Sequence, residues 1–304
     1  MILYGTNPIA WSNDDDWSIG DHISLETCLS DAARIGFEGI EKGHKMPDDG
    51  AALKAALERH GLRFAAGWFS TNLLVRDIAD EVAALREWIA FTRAAGGDHI
   101  NACECSNTVH GSDGVPVNDR PVMTGAEWDR FSAGYEELSR VAHEEGMAMG
   151  YHHHMGTIVE SEADIRRFME MAGPHTRLLL DTGHAWFGGA DPAALAREYI
   201  GRVSHIHAKN VRADIAAEVR AGGLSFLEGV RRGAFTVPGD PEGAVAFEPV
   251  LRAAAEGGYS GWLVIEAEQD SAVRDPVRYQ SMGLAVLRRM AAETGLDAAA
   301  AGGA

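Results

Sequence analysis

Short apolar runs alternate with longer amphipathic stretches along most of the chain, the pattern that parallel strands joined by helices produce. Eight runs read as strands: Ile2 to Thr6, Gly39 to Lys42, Arg63 to Trp68, His99 to Cys105, Met147 to His152, Arg177 to Asp181, Val203 to Ala208 and Gly261 to Glu268. Between neighbours lie segments of helical periodicity, among them SLETCLSDAARIG, DGAALKAALERHG, EVAALREWIAFTRAAG, EWDRFSAGYEELSRVAHEEG and SEADIRRFMEMAG. Several end in glycine, at Gly36, Gly61, Gly96, Gly146 and Gly173, where a helix C-cap would precede the next strand. Eight such alternations predict a closed (β/α)8 TIM barrel, a single domain over residues 1–290, followed by a low-complexity tail over 291–304 that is expected to fray. An open doubly wound sheet is the alternative, but no G-x-G-x-x-G follows the first strand, and GGADPAALAREY near Gly188 lacks the spacing of a phosphate loop.

Two segments break the rhythm. Residues Ser106 to Thr124 are polar and poor in helix formers, and Val211 to Pro241 form a long insertion containing the helical stretch DIAAEVRAGGLSFLEGVRRG. Both follow strand C-termini, the face on which barrel loops build active sites, and both are expected to act as lids.

Composition narrows the partners more than the fold. A chain of 304 residues with 46% hydrophobic and 24% charged residues has the balance of a globular protein with a large core. Its net charge of -18 speaks against nucleic acid and against an anionic membrane surface, either of which requires a basic face. A neutral small molecule suits it better. Cys28, Cys103 and Cys105 give no disulfide framework, and the C-x-C pair reads as strand packing rather than a metal site, so a reducing compartment is expected. MILYGTNPIAW opens directly on a strand pattern without signal-peptide features, and no stretch approaches the roughly 20 apolar residues of a membrane span. Together these features predict a cytoplasmic location.

Side chains that bind metals and move protons collect at the ends of the apolar runs. The fifth run ends in Tyr151, His152, His153 and His154; the sixth ends LLLDTGH, with Asp181 and His184; the seventh reads SHIHAKN, with His205 and His207; the eighth reads WLVIEAEQD, with Glu266 and Glu268. Strand side chains alternate faces, so His152 and His154 share one face, as do His205 and His207, and Glu266 and Glu268. In a barrel, four adjacent strand ends therefore aim imidazoles and carboxylates at one volume. That mixed set suits a divalent ion of the manganese, cobalt or zinc type rather than calcium.

The spacing of D-T-G-H, H-I-H-A-K-N and I-E-x-E resembles the xylose-isomerase-like superfamily of sugar epimerases, isomerases and endonucleases. Within it, NPIAWSNDD, GIEKGHKMP, YHHHMGT, LLLDTGHAWFGGADP, FTVPGD and GWLVIEAEQD look like the myo-inosose-2 dehydratases, over about Asn7 to Leu287. The resemblance implies a divalent metal held on strands five to eight by Glu, Asp, His and Glu. The Asp corresponds to Asp181, the His to His207 and the last Glu to Glu266. Where members of the superfamily carry the first Glu, four residues before Gly156, this chain has His152. Either His152 serves as the fourth ligand, or three protein groups hold the ion and His154 or water completes its shell.

The same resemblance implies a reaction in inositol catabolism: dehydration of 2-keto-myo-inositol (scyllo-inosose) to a trihydroxycyclohexane-dione by a hydro-lyase. Such an elimination removes an α-proton and expels a β-hydroxyl, and a divalent ion, manganese or cobalt before zinc, would stabilise the enolate oxygen. The proton carriers are expected among His153, His154, Glu268, Lys209 and Glu104, with preference for a histidine of the fifth strand. Asn7, Trp11, Glu41, Lys42, Lys45, Trp68, His184 and Arg212 are the candidates for substrate contact. The alternative is a sugar or inosose isomerase or epimerase using the same metal, which commonly needs two opposed glutamates and so agrees less well with YHHHMGT. A DNA-repair endonuclease on this barrel would need a basic surface, and a polyol-binding regulator would bind metal without turnover. A homo-oligomer, dimer or tetramer, is implied by the resemblance only.

Overall fold

Most barrel helices begin where the sequence supplies a side chain to hold the first free amides, those over Ile78–Ala94 and Phe247–Glu256 being exceptions. Ser24, Asp49, Thr124, Ser161, Asp191 and Ser225 accept such a bond at the starts of their helices, and Thr124 with Glu127 and Ser161 with Asp164 form reciprocal capping boxes. In the computed structural model, which describes residues 1–299, the strands are β1 Ile2–Thr6, β2 Gly39–Ile40, β3 Arg63–Phe64, β4 Trp68–Thr71, β5 His99–Glu104, β6 Ala148–His152, β7 Arg177–Asp181, β8 Val203–His207, β9 Asn210–Val211, β10 Phe235–Thr236 and β11 Gly261–Ile265. The helices are α1 Leu25–Ile35, α2 Gly50–Glu58, α3 Ile78–Ala94, α4 Gly125–Glu144, α5 Glu162–Met171, α6 Thr182–Phe187, α7 Pro192–Tyr199, α8 Ala213–Ala221, α9 Phe226–Arg232, α10 Phe247–Glu256, α11 Pro276–Thr294 and α12 Leu296–Ala299.

Nine strands form one parallel sheet in the order β3-β2-β1-β11-β8-β7-β6-β5-β4. Its two ends, β3 and β4, are consecutive pieces of the third apolar run, so the sheet closes on itself through residues 65–67. The amide of Lys42 bonds the Ala66 carbonyl at 2.9 Å and that of Asn101 bonds the Gly67 carbonyl at 3.1 Å, carrying the ladder across the break. The expected barrel is therefore present, with its third strand split. Among the described residues no helix is long and apolar enough to cross a membrane.

Inside the barrel, Trp262 and Val264 of β11 pack with Ala65 and Leu3. Gly39 makes this possible, because a Cβ there would lie 2.4 Å from the Trp262 ring. The next residue of the same alternation is Glu266, just past the end of β11, so the strand that fills the lower barrel delivers a carboxylate to its mouth. A second, larger core lies between the strands and the helix ring; Leu53, Leu85, Phe131, Ile165, Leu195 and Leu287 are among its most buried members.

Four of the expected glycine caps hold, at Gly36, Gly61, Gly96 and Gly146, each with positive φ. Gly173 does not cap: α5 ends at Met171 with Ala172 extended, and Gly173 instead lets the Glu136 carboxylate approach within 2.6 Å of where a Cβ would sit. The tail expected over 291–304 begins later than that. Ala291 to Thr294 belong to α11, Leu296 is fully buried, and the Tyr4 hydroxyl donates to Asp297 at 2.9 Å, while residues 300–304 lie outside the described residues. The long insertion folds as α8 and α9 flanked by the antiparallel β9–β10 ribbon.

Candidate active site

Because all barrel strands run parallel, their C-terminal ends share one mouth, and three adjacent ends carry Asp181, His207 and His152. Asp181 does two things. It closes β7 and caps α6, its Oδ1 accepting the His184 amide at 2.8 Å, which leaves Oδ2 without a hydrogen-bond partner. His207 pairs with Asp181 in register; its Nδ1 lies 3.3 Å from Asp181 Oδ2 and 2.6 Å from Glu266 Oε2. His152 Nε2 is 3.4 Å from the same Asp181 oxygen.

All four residues are buried, and His152 Nε2, Asp181 Oδ2, His207 Nδ1 and Glu266 Oε2 each lack a hydrogen bond. Leaving a buried polar atom unsatisfied costs about 1–3 kcal/mol, so these four neighbouring atoms could hold a cation, and a His184 nitrogen also lies within 4.8 Å of atoms of His152, Asp181 and Glu266. Two imidazole nitrogens and two carboxylate oxygens form a donor set that fits a divalent transition ion.

Glu41 orients this cluster from the opposite side of the barrel. Its carboxylate accepts from Asn7 Nδ2 and Asn101 Nδ2, both at 2.7 Å, and faces His205 Nε2 at 2.9 Å and His207 Nε2 at 3.1 Å. With Nε2 committed to Glu41, His207 presents Nδ1 to the cluster, the carboxylate–histidine arrangement that sets a ligand's tautomer and basicity. Burial works against the Glu41 charge, but His207 and His205 hold its carboxyl well below the usual range. Burial likewise depresses His205, to about 4.

Lys209 is the fixed cation of the site. Fully buried, its Nζ donates to Glu268 Oε2 at 2.8 Å and lies 2.8 Å from His184 Nε2, 3.2 Å from Glu266 Oε2 and 3.7 Å from Asp181 Oδ2. Although burial disfavours the ammonium, Glu266 and Glu268 keep it protonated far above neutrality. In return, burial's upward push on Glu268 is overcome by Lys209 and His154, and the carboxyl falls to about 2. His154 donates Nδ1–H to the Met155 carbonyl at 2.8 Å and turns Nε2 toward Glu268 Oε1, 3.8 Å away.

The cluster opens onto a cavity of about 260 Å³. Of the expected residues, Asn7, Glu41, Lys42, Trp68, His152, His154, His207, Glu266 and Glu268 line it. The Trp68 ring stands edge-on to those of His152 and His154, at centroid distances of 5.3 and 5.6 Å. Six further residues line it that sequence reasoning did not single out: Ile9, Asp14, Asp15, Ser70, Asn101 and His110. Two signals pointed that way: the polar SNDD step after β1 and a lone Asn within the apolar β5. His110 comes from the polar segment 106–124, which does reach the mouth; from the insertion, Phe226 packs on His154 with ring centroids 5.0 Å apart.

Other candidates are placed away from the cavity. His153 is outside the cavity lining; its Nε2 accepts the Asp181 amide at 3.3 Å and burial lowers its pKa to about 3. Glu104 is consumed by the Thr71 hydroxyl and the amides of Leu73 and Ser106. Trp11 is buried with Nε1 on Asp31, and Lys45 straps the carbonyls of Gly20, Asp21 and Ile23. Arg212 braces the insertion through Asp240, Glu242 and the Gly233 and Phe235 carbonyls. His184 and Lys209 do not line the cavity; both are buried next to it, with Lys209 Nζ 2.8 Å from His184 Nε2.

Comparison with known proteins bears on the fold and the family. The xylose isomerase-like TIM barrel model matches residues 29–290. A rhizopine catabolism protein of Rhizobium meliloti is 40% identical over 97% of this chain and 90% of its own, and an inosose dehydratase of Bacillus cereus is 39% identical over 91% and 93%. The solved structure of an L-ribulose 3-epimerase superposes with a TM-score of 0.69 over 98% of this chain and 97% of that one at 18% identity, which bears on the fold alone. The chain thus belongs to the xylose isomerase-like TIM barrel family and, within it, to the inosose dehydratases.

Proposed function

We infer that this protein dehydrates 2-keto-myo-inositol to a trihydroxycyclohexane-dione in inositol catabolism, with manganese or cobalt held by His152, Asp181, His207 and Glu266. The observation that carries the reading is the set of four buried, partnerless donor atoms beside a cavity the size of one small polyol. A divalent ion bound there supplies Lewis-acid stabilisation for the enolate oxygen that forms when the α-proton leaves.

The chain's own groups account for the rest. His154, with Nδ1–H on Met155 and Nε2 turned toward Glu268 3.8 Å away, stands at the cavity wall to take the α-proton, and against the effect of burial Glu268 raises its pKa, which strengthens it as a base. Lys209 holds Glu268 ionised beside it, so the imidazolium that results meets a ready counter-charge. Trp68 offers an apolar face to the ring carbons, and Asn7 and Asn101 offer amides to hydroxyls. The asymmetric histidine set favours elimination over epimerisation between two opposed carboxylates.

Chelator-treated protein, incubated with 2-keto-myo-inositol with and without added manganese or cobalt, tests the reading. A metal-dependent product lighter by one water, with new ultraviolet absorbance, is expected. An isomer of unchanged mass would move the protein to the epimerases. No turnover with any of the metals would refute the substrate assignment.

The mouth is held by one arginine. Arg231 of α9 pairs with Asp16 at 2.6 Å and Asp113 at 2.6 Å, joining the loop after β1, segment 106–124 and the insertion. Both pairs are partly exposed, each worth about 1 kcal/mol at most. Arg231→Ala is therefore expected to raise KM by about 3- to 10-fold through looser loops while kcat stays within about twofold, read by steady-state kinetics. A drop in kcat with unchanged KM would contradict this.

A further inference from the structure

Three consecutive aspartates follow the first strand, and the fold treats them differently. Asp14 is occupied: its Oδ1 receives the His44 amide at 3.0 Å and lies 2.7 Å from His44 Nδ1. Asp16 is also occupied, accepting from the Ser18 hydroxyl at 2.6 Å and from Arg231. Between them, Asp15 donates its amide to Asn13 Oδ1 at 2.8 Å, and Asn13 takes the Asp16 amide at 2.7 Å in the same turn. The Asp15 carboxyl itself has no hydrogen bond or ion pair, and Asp15, exposed at the rim, lines the same cavity as His154 and Glu268. A loop braced at both neighbours by side chains thus presents a single unengaged carboxyl to the substrate space.

We propose that Asp15 is the general acid that protonates the departing β-hydroxyl. The inference rests on the dehydratase reading and names its missing proton donor. Carbon–hydrogen cleavage sends the α-proton to His154 and its electron pair into the enolate. The β-carbon–oxygen bond then breaks as the pair re-forms a carbon–carbon double bond, and hydroxide takes the Asp15 proton to leave as water. The enol so formed tautomerises to the 1,2-dione, with no net oxidation or reduction. Other titratable groups at this cavity have duties of their own: Glu41 and Glu268 are held ionised by histidines and Lys209, Glu266 belongs to the ligand set, Asp14 is engaged by His44, Lys42 by Asp48, and His154 takes the α-proton. The surroundings of Asp15 favour its acid form. Although Asp15 is exposed at the rim of the mouth, the protein mass around its carboxyl raises it to about 6, chiefly by lost hydration, with His154 opposing and Glu268, Asp14 and Glu266 adding.

The test separates protonation of the leaving group from every other role. Manganese-loaded wild type and Asp15→Asn are compared on 2-keto-myo-inositol and on the analogue carrying fluorine in place of the β-hydroxyl, since fluoride departs without a proton. General-acid assistance is worth about 10²–10⁴-fold, so Asp15→Asn is expected to lose at least about 100-fold in water loss. Fluoride release, read with an ion electrode, is expected to stay within about threefold. In wild type, kcat/KM for water loss should fall above about 6, where the raised carboxyl ionises, and that limb should vanish in the variant. Asp15→Asn that dehydrates the inosose within about threefold of wild type, or that slows both substrates alike, would overturn the assignment. Wild type that releases neither water nor fluoride would instead refute the dehydratase reading and leave the role of Asp15 without a reaction.

Discussion

Asp181→Asn is expected to lower kcat/KM for inosose dehydration by about 10³-fold while the protein stays folded. Lewis-acid assistance is worth several kcal/mol, and each 1.36 kcal/mol is a factor of ten. The substitution is informative because the two oxygens of Asp181 have separate duties. Oδ1 caps α6 through the His184 amide, and an asparagine oxygen there keeps that bond; Oδ2 faces His152 and His207 without a partner, and an amide nitrogen there cannot be a ligand. Manganese content after gel filtration should drop to about one tenth of stoichiometric or less. Thermal unfolding of the variant should match that of chelated wild type, since both lack the stabilisation a bound ion gives the folded state. Retention of activity within tenfold would show that the cluster does not hold the catalytic ion.

Lys209→Met should be the most damaging single change in stability. The ammonium is completely buried and touches Glu268, Glu266 and His184, with the Phe235 ring 4.8 Å from Nζ. Removing one partner from a buried charge cluster typically costs about 3–5 kcal/mol, because the remaining carboxylates stay dry and uncompensated. A melting temperature lower by on the order of 10 °C follows for a chain of this size. Activity is expected to fall by about 10²–10³-fold as well, since Glu268 loses the charge that keeps it ionised beside His154. Calorimetry and steady-state kinetics on the same preparation check both. A variant as stable as wild type would mean that the carboxylates share protons among themselves.

Asp181, His207, Glu266 and His152 were legible because strand periodicity and position at a run's end fix both the face and the height of a side chain in a barrel. What the sequence could not show is which polar groups are already taken. Trp11, Lys45, Glu104 and Arg212 have the right chemistry and stand near the right ends, yet each is spent on a carbonyl, amide or carboxylate of the scaffold. His153 fell on the wrong side of the alternation. Asp15 was hidden for the converse reason: three adjacent aspartates look alike until the partners of Asp14 and Asp16 are known. The short helix α6 was missed because DTGHAWFGG carries glycines at both ends and spans less than two turns, too little for periodicity to register.

The make-up of the cavity wall also decides who is kept out. Asp14, Asp15, Glu41, Glu266 and Glu268 line it, no arginine does, and the one lysine at the wall, Lys42, is drawn off to Asp48 at 3.0 Å. A phosphate ester would bring its dianion against this ring of carboxylates with neither a guanidinium fork nor a free ammonium to receive it. Repulsion of that kind discriminates without any contact made to the favoured substrate. An uncharged cyclitol ketone is therefore expected to be accepted over a phosphorylated sugar of the same hydroxyl pattern, the phosphate being turned away before it reaches the ligand cluster.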